Sequence, residues 1–264
     1  VVSFRELFFA RPHTGMEDVM THDPVAVRPD SDREVVAELI ERYRLMAIPV
    51  TDEAGHLKGM VRFDEAMEAV REEIGEDLTQ MVGAGAEETV FTPIPVSVRR
   101  RLPWISFNLL IGLMIAFAIE PFRETIAEYP ILAALMPMVA LLGGNSGAQS
   151  QAVIIRAMAI GDLPPGRAWR TVRREFAVGA INGAAMSAMA GLAVAVIAPE
   201  SEIGVVVAVA VFVSLLVAGL AGAGIPVIMR RLGLDPALAS NIFLTMITDL
   251  VGFTGFLLTA TLLL

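Results

Sequence analysis

Along this chain, polar and apolar residues alternate on a short scale first and separate into long blocks later. Over residues 15–71 the apolar spacing changes every few positions, as it does where short strands and helices succeed one another. Ser31-Asp32 is an N-cap signal for a helix over 33–43. Pro24-Val25-Ala26-Val27, Ala47-Ile48-Pro49-Val50-Thr51 and Gly59-Met60-Val61 read as strands, with Glu53-Ala54-Gly55-His56 as a turn. A second helix is predicted from about Asp64. Beyond Leu102 the pattern turns into apolar runs of about 18 residues or more, enough to cross a bilayer core as a helix. Five spans are predicted, over 102–119, 131–160, 176–198, 203–229 and 238–264. The fold class is therefore an α-helical membrane protein with a small α/β domain ahead of its spans, divided at 15–78, 79–101 and 102–264.

Charge adds an orientation. Arg99, Arg100, Arg101, Arg156, Arg167, Arg170, Arg173, Arg174, Arg230 and Arg231 all fall on one side of the predicted spans. The other side holds Arg123 beside Glu120, Glu124, Glu128, Glu200 and Glu202. The positive-inside rule then gives a cytoplasmic N-terminus and an external C-terminus, a multi-pass protein of the plasma (inner) membrane. A net charge of −9 argues against a nucleic-acid partner. Cysteine is absent, which removes disulfides and thiolate metal sites. No signal peptide is legible, and the opening Val1-Val2-Ser3-Phe4 without methionine reads as a chain lacking part of its natural N-terminus.

Two polar features interrupt the apolar half. LGGNSGAQSQ, over 142–151, places Asn145, Gln149 and Gln151 at bilayer depth, where each amide needs a partner or water. Pro137 ahead of it predicts a bent or interrupted helix, and the stretch reads as a cavity wall. Asp249 is the acidic residue of the fifth span, with Thr245 four and Asn241 eight residues earlier on the same helix face. A carboxylate at that depth costs at least about 2.5 kcal/mol and marks function by default. The polar stripe ending at Asp249 reads as a cation path. Asn108 and Asn182 read as helix–helix hydrogen-bonding amides, and Gly179, Gly183, Gly191 and Gly219 as close-packing positions. Arg173-Arg174-Glu175 read as interfacial anchors. Ahead of the spans, Asp64, Glu65, Glu68, Glu72, Glu73, Glu76 and Asp77 form an acidic run. It is either a solvated face or a weak divalent-cation sensor.

The stretch VMTHDPVAVRPDSDREVVAELIERYRLMAIPVTDEAGHLKGMVRFDEAMEAV resembles a CBS domain, with residues 1–14 similar to the tail of a preceding repeat. CBS pairs often hold adenine nucleotides through Ser/Thr and, three residues on, Asp; here those positions are Arg62 and Glu65, which counts against a nucleotide. With P-x5-GGN-x-G, RREFAVGAING and RRLGLDPALAS…TDLVGF, the whole resembles the MgtE magnesium transporters and channels. That resemblance implies a homodimer whose pore binds Mg²⁺ at Asp249, with Asn145 and Asn241 as lining amides. It further implies regulatory Mg²⁺ near Glu65, Glu68 and Asp77, and a plug-type helix over 79–101. Leu141 and Ala148 depart from the family pattern, so another divalent cation, Mn²⁺ or Co²⁺, is an alternative cargo. A non-conducting CBS membrane sensor is a second alternative. An intramembrane enzyme is set aside, because Asp249 has no second acid, nucleophile or metal-binding His beside it.

Overall fold

The computed structural model describes residues 1–81, 83–84, 88–159, 163, 165–198, 202–236 and 240–264. The chain divides into two compact units, Val1–Gly75 and Glu76–Leu264.

In the first unit the short helices α1 (Phe4–Phe9) and α2 (Met16–Val19) precede α3 (Arg33–Arg42). Ser3 caps α1 by accepting from the Glu6 N–H at 3.1 Å, and Asp32 caps α3 by accepting from the Glu34 N–H at 3.2 Å. Strands β1 (Ala47–Thr51) and β2 (Leu57–Arg62) pair antiparallel, from Ala47 opposite Arg62 to Thr51 opposite Leu57. Asp52 closes their turn, accepting from the backbone N–H of Ala54 at 3.1 Å and of His56 at 2.8 Å. Gly55 supplies the left-handed residue, at φ 81°. These two amides, the His56 one foremost, together with Lys58 Nζ at 3.0 Å, hold the Asp52 carboxyl below the usual carboxylate range.

The strand expected at 24–27 shrinks to one parallel bridge, Val27 to Val50. Pro24 lacks an N–H, so the ladder has little to extend into on that side. Helix α4 (Phe63–Met81) follows β2 directly. Val36, Ala37 and Ile40 of α3, Ile48 of β1, Ala66 of α4 and Val27 form the apolar core of this unit.

The second unit holds α5 (Ile94–Ile119), the short α6 (Arg123–Glu128), α7 (Ile131–Ala159), α8 (Ala168–Ile197), α9 (Ile203–Arg231) and α10 (Ser240–Leu263). Among the described residues, five of its helical segments are long and apolar enough to cross a membrane. The central helix is α9. Its Val206, Val207, Ala210, Val211 and Leu215 are buried against Leu132 and Val139 of α7, Val194 of α8, and Phe256 and Leu257 of α10. On the far side α10 meets α5 through Ile242, Ile111 and Ile115.

Helix α5 begins at Ile94 and α8 at Ala168, well before the spans read from hydropathy. The arginines that delimited those spans lie inside the helices, since long basic side chains continue a helix while reaching for water. Residues 79–101 accordingly divide between the end of α4, a segment ahead of Ile94, and the first turns of α5. Small residues set the closest approaches. Gly179 of α8 meets Gly219 of α9, and a Cβ on Gly219 would come 2.7 Å from the Glu175 carbonyl oxygen.

Candidate functional site

Helix α7 runs unbroken from Ile131 to Ala159, with Pro137 inside it. Of the bend or interruption expected from Pro137, no interruption occurs at LGGNSGAQSQ. Two of its three glycines serve packing: Gly143, Gly147 and Ser150 recur on one face, and that face is buried. A Cβ on Gly147 would press on Leu244 of α10, one on Gly222 of α9 would collide with the Gly147 carbonyl oxygen, and one on Gly143 would collide with the Ser214 hydroxyl of α9.

Two residues along from Gly143, Asn145 emerges on the opposite side of the helix and is exposed, as are Leu141, Ala148 and Gln149. In a single chain Asn145 therefore stands away from the α7–α10 contact rather than facing the α10 stripe across it.

On α10 the expected stripe forms, because residues four apart in a helix stack one above another. Asn241 and Asp249 are half-buried and Thr245 is exposed. Thr245 Oγ1 donates to the Asn241 carbonyl oxygen at 2.9 Å, a local bond that adds no partner for the side chains above and below. Among the described residues Asp249 makes no hydrogen bond and no ion pair, and the amides of Asn145 and Asn241 make none either. Behind Asp249, Thr248 is buried and donates to the carbonyl oxygen of Leu244 at 3.0 Å. The site is thus an unpaired carboxylate on a helix otherwise apolar enough to span a bilayer.

Several buried polar residues lie away from the α10 stripe. Glu175, expected as an interfacial anchor, is instead only 4% exposed. Its Oε2 accepts from Ser150 Oγ of α7 at 2.9 Å, and its Oε1 pairs with Arg174. Two adjacent arginines masked it, although its spacing of four from Gly179 and eight from Gly183 places it on the packed face of α8. Gln151 and Ser214 are buried with side-chain polar atoms that lack a partner among the described residues. An unpaired buried amide or hydroxyl costs about 1–3 kcal/mol. Asn108 and Asn182, expected to bond between helices, are exposed and make no side-chain hydrogen bond among the described residues.

In the first unit Glu65, Glu68 and Glu72 line a cleft of about 360 Å³ between α3 and α4, with Ser31 and Arg33. Glu65 accepts from the Arg62 N–H at 3.0 Å, and Arg33 lies 3.8 Å from Glu72. Asp64 pairs with the Arg62 guanidinium at 2.9 Å, which holds its carboxyl below the usual range. Among the described residues no three carboxylates or histidines converge as a metal site. The Asp77 side chain lies outside the described residues.

With this geometry in place, comparison with known proteins is decisive. A family profile, MgtE, described as a divalent cation transporter, matches residues 136–259, and the CBS domain profile matches residues 16–72. The magnesium transporter MgtE of Bacillus subtilis (strain 168) is 34% identical over 251 residues, 95% of this chain. The chain belongs to the MgtE family. The magnesium transporters MgtE of Enterococcus faecalis and Thermus thermophilus are 32% and 34% identical, over 95% and 100% of the chain. The chain spans about half the length of these curated relatives: 56%, 55% and 59%. The MgtE match takes in Asn145, Glu175 and Asp249 together, while the CBS match includes Glu65 and Glu68 and stops before Asp77.

Proposed function

We propose that this chain conducts divalent cations, Mg²⁺ foremost, across a membrane through a pore completed by a second copy of itself. The observation that carries the reading is Asp249, half-buried on the Asn241–Thr245 stripe and without a hydrogen bond or ion pair among the described residues. A carboxylate left so at bilayer depth is stabilised by a passing cation and by water on the path.

Mg²⁺ surrenders its waters reluctantly and prefers octahedral oxygen ligands at about 2.1 Å. Amides and hydroxyls at Asn241 and Thr245 suit the hydrated ion, touching its waters, while Asp249 and its counterpart supply attraction. Few direct ligands keep binding weak enough for release. The second copy also gives the outward face of α7 a use: Asn145, exposed in one chain, becomes a lining amide where two copies meet. The N-terminus is cytoplasmic in this reading, following the arginine asymmetry. Regulation would act through Glu65, Glu68 and Asp77, whose mutual repulsion a divalent cation relieves, with residues 79–101 carrying the signal to α5.

The test is Mg²⁺ uptake into proteoliposomes by Asp249→Asn. Loss of one unit charge near a partly screened ion forfeits about 1–4 kcal/mol, so uptake at limiting Mg²⁺ is expected to fall at least about fivefold. Unchanged uptake would sink the proposal.

A further inference from the structure

The first turns of α8 carry an unusual concentration of cationic side chains. Arg167, Arg170, Arg173 and Arg174 are all exposed, and Trp169 beside them is 56% exposed. The one carboxylate in these turns, Glu175, points inward to Ser150 and pairs with Arg174. Arg167, Arg170 and Arg173 make no ion pair and no side-chain hydrogen bond among the described residues. They stand three residues apart, and so track along one side of the helix.

The same side of α8 changes character further along. Val178 and Ile181 below the arginines are exposed, Ile181 at 72%, and Met189 and Leu192 continue the apolar surface toward the other end of the helix. Helix α8 buries its opposite face, through Val172, Glu175, Gly179 and Gly183, against its neighbours. Its outward face thus reads cationic head, with Trp169 at the same level, and then apolar length, the order of headgroup and acyl chain in a phospholipid leaflet. Arg and Trp at that level anchor to headgroups, and the apolar length matches acyl chains.

We infer that this face is a binding site for an anionic phospholipid, its phosphate held by Arg167, Arg170 and Arg173 and its acyl chains laid along Val178 and Ile181. A phosphopeptide or a nucleic acid would use the arginines and leave the apolar length unmatched; a neutral lipid would use the apolar length and leave three charges uncompensated. Arg174 differs from the other three because Glu175 already neutralises it, so the lipid site and the buried Ser150–Glu175 bond meet at one pair of adjacent residues.

The experiment is native mass spectrometry of the chain taken from nanodiscs of phosphatidylcholine containing phosphatidylglycerol, counting the phospholipid retained. Retention of phosphatidylglycerol over phosphatidylcholine is expected in the wild type. Each Arg→Gln change is expected to weaken retention about fivefold, and R167Q/R170Q/R173Q to abolish the preference. The charge-preserving R167K/R170K/R173K keeps most of it, which separates loss of the site from loss of the fold. Equal retention of the two lipids by the wild type, or wild-type preference in the triple Gln variant, overturns the inference. Displacement of the lipid by millimolar inorganic phosphate alone overturns the acyl-chain half of it. Because the readout is bound lipid rather than flux, its failure leaves the cation-path reading untouched, and the reverse holds as well.

Discussion

At Gly222 and Gly144 one atom makes opposite differences. A Cβ on Gly222 meets the backbone carbonyl of Gly147, which cannot swing aside, whereas nothing lies within 4 Å of one on Gly144. Gly222→Ala is therefore expected to destabilise the membrane unit by about 1–3 kcal/mol through overpacking. Gly144→Ala is expected to be neutral or to stabilise by up to about 1 kcal/mol through helix propensity. Thermal unfolding in detergent, with both variants side by side, checks the pair; equal effects would mean that the α7–α9 approach is looser than described. Residue by residue, legibility followed contrast. Asp249 stood out because a carboxylate within an apolar run is costly unless something offsets its charge. Glu175 did not, because Arg173 and Arg174 stand beside it in sequence, and its true position depends on which side of α8 packs.

Among the elements, α7 carries the clearest lesson. Its polar stretch was located from sequence, and Pro137 predicted a bent or interrupted helix; the helix continues without interruption, with Gly143 and Gly147 in close contact with α9 and α10. The spans of α5 and α8 were found but started late, since hydropathy registers charge and helical hydrogen bonding does not. Strands β1 and β2, with their turn, were legible from alternation and from Gly55, whereas the segment at 24–27 had the right residues and too few partners.

Two tests belong at this scale. Ser150→Ala removes the donor to a buried carboxylate, and a hydrogen bond to a charged group is worth about 1.5–3 kcal/mol. A matching drop in stability is expected, and a Ser150/Glu175 double-mutant cycle should give a coupling of the same order. The β1–β2 turn tests acid sensitivity. The Asp52 carboxyl sits below its usual range when folded, so its contribution is present above the ordinary carboxylate value and is lost as pH falls through the lowered one. Hydrogen exchange at the His56 amide should accelerate, relative to neighbouring amides, as the pH falls through that window. Asp52→Asn should show the faster exchange already at neutral pH, with the acid-dependent change gone.

For the whole molecule, the absence of cysteine allows single reporters without background. If two copies enclose water between them, Asn145→Cys and Thr245→Cys react with a membrane-impermeant thiol reagent and Mg²⁺ slows both. Leu258→Cys, on the exposed apolar side of α10, stays unlabelled. Labelling of all three alike would mean that exposure in one chain tells nothing of water in the assembly. That the chain holds two units was legible because composition changes abruptly along it, although the compact units divide at Gly75 and Glu76 rather than near residue 102; what lies opposite each polar face was not, because sequence gives a helix its stripes without saying what faces them.

The bond between Ser150 and Glu175 also bears on how the protein is made. It joins two successive spans, the donor late in α7 and the acceptor early in α8, separated by 25 residues of chain. A carboxylate entering lipid alone meets a steep barrier, while one that arrives beside its hydroxyl partner and the neighbouring guanidinium does not. Synthesis delivers α7 first, so the donor is waiting when the acceptor emerges. The two helices are thus suited to enter the bilayer as a pair.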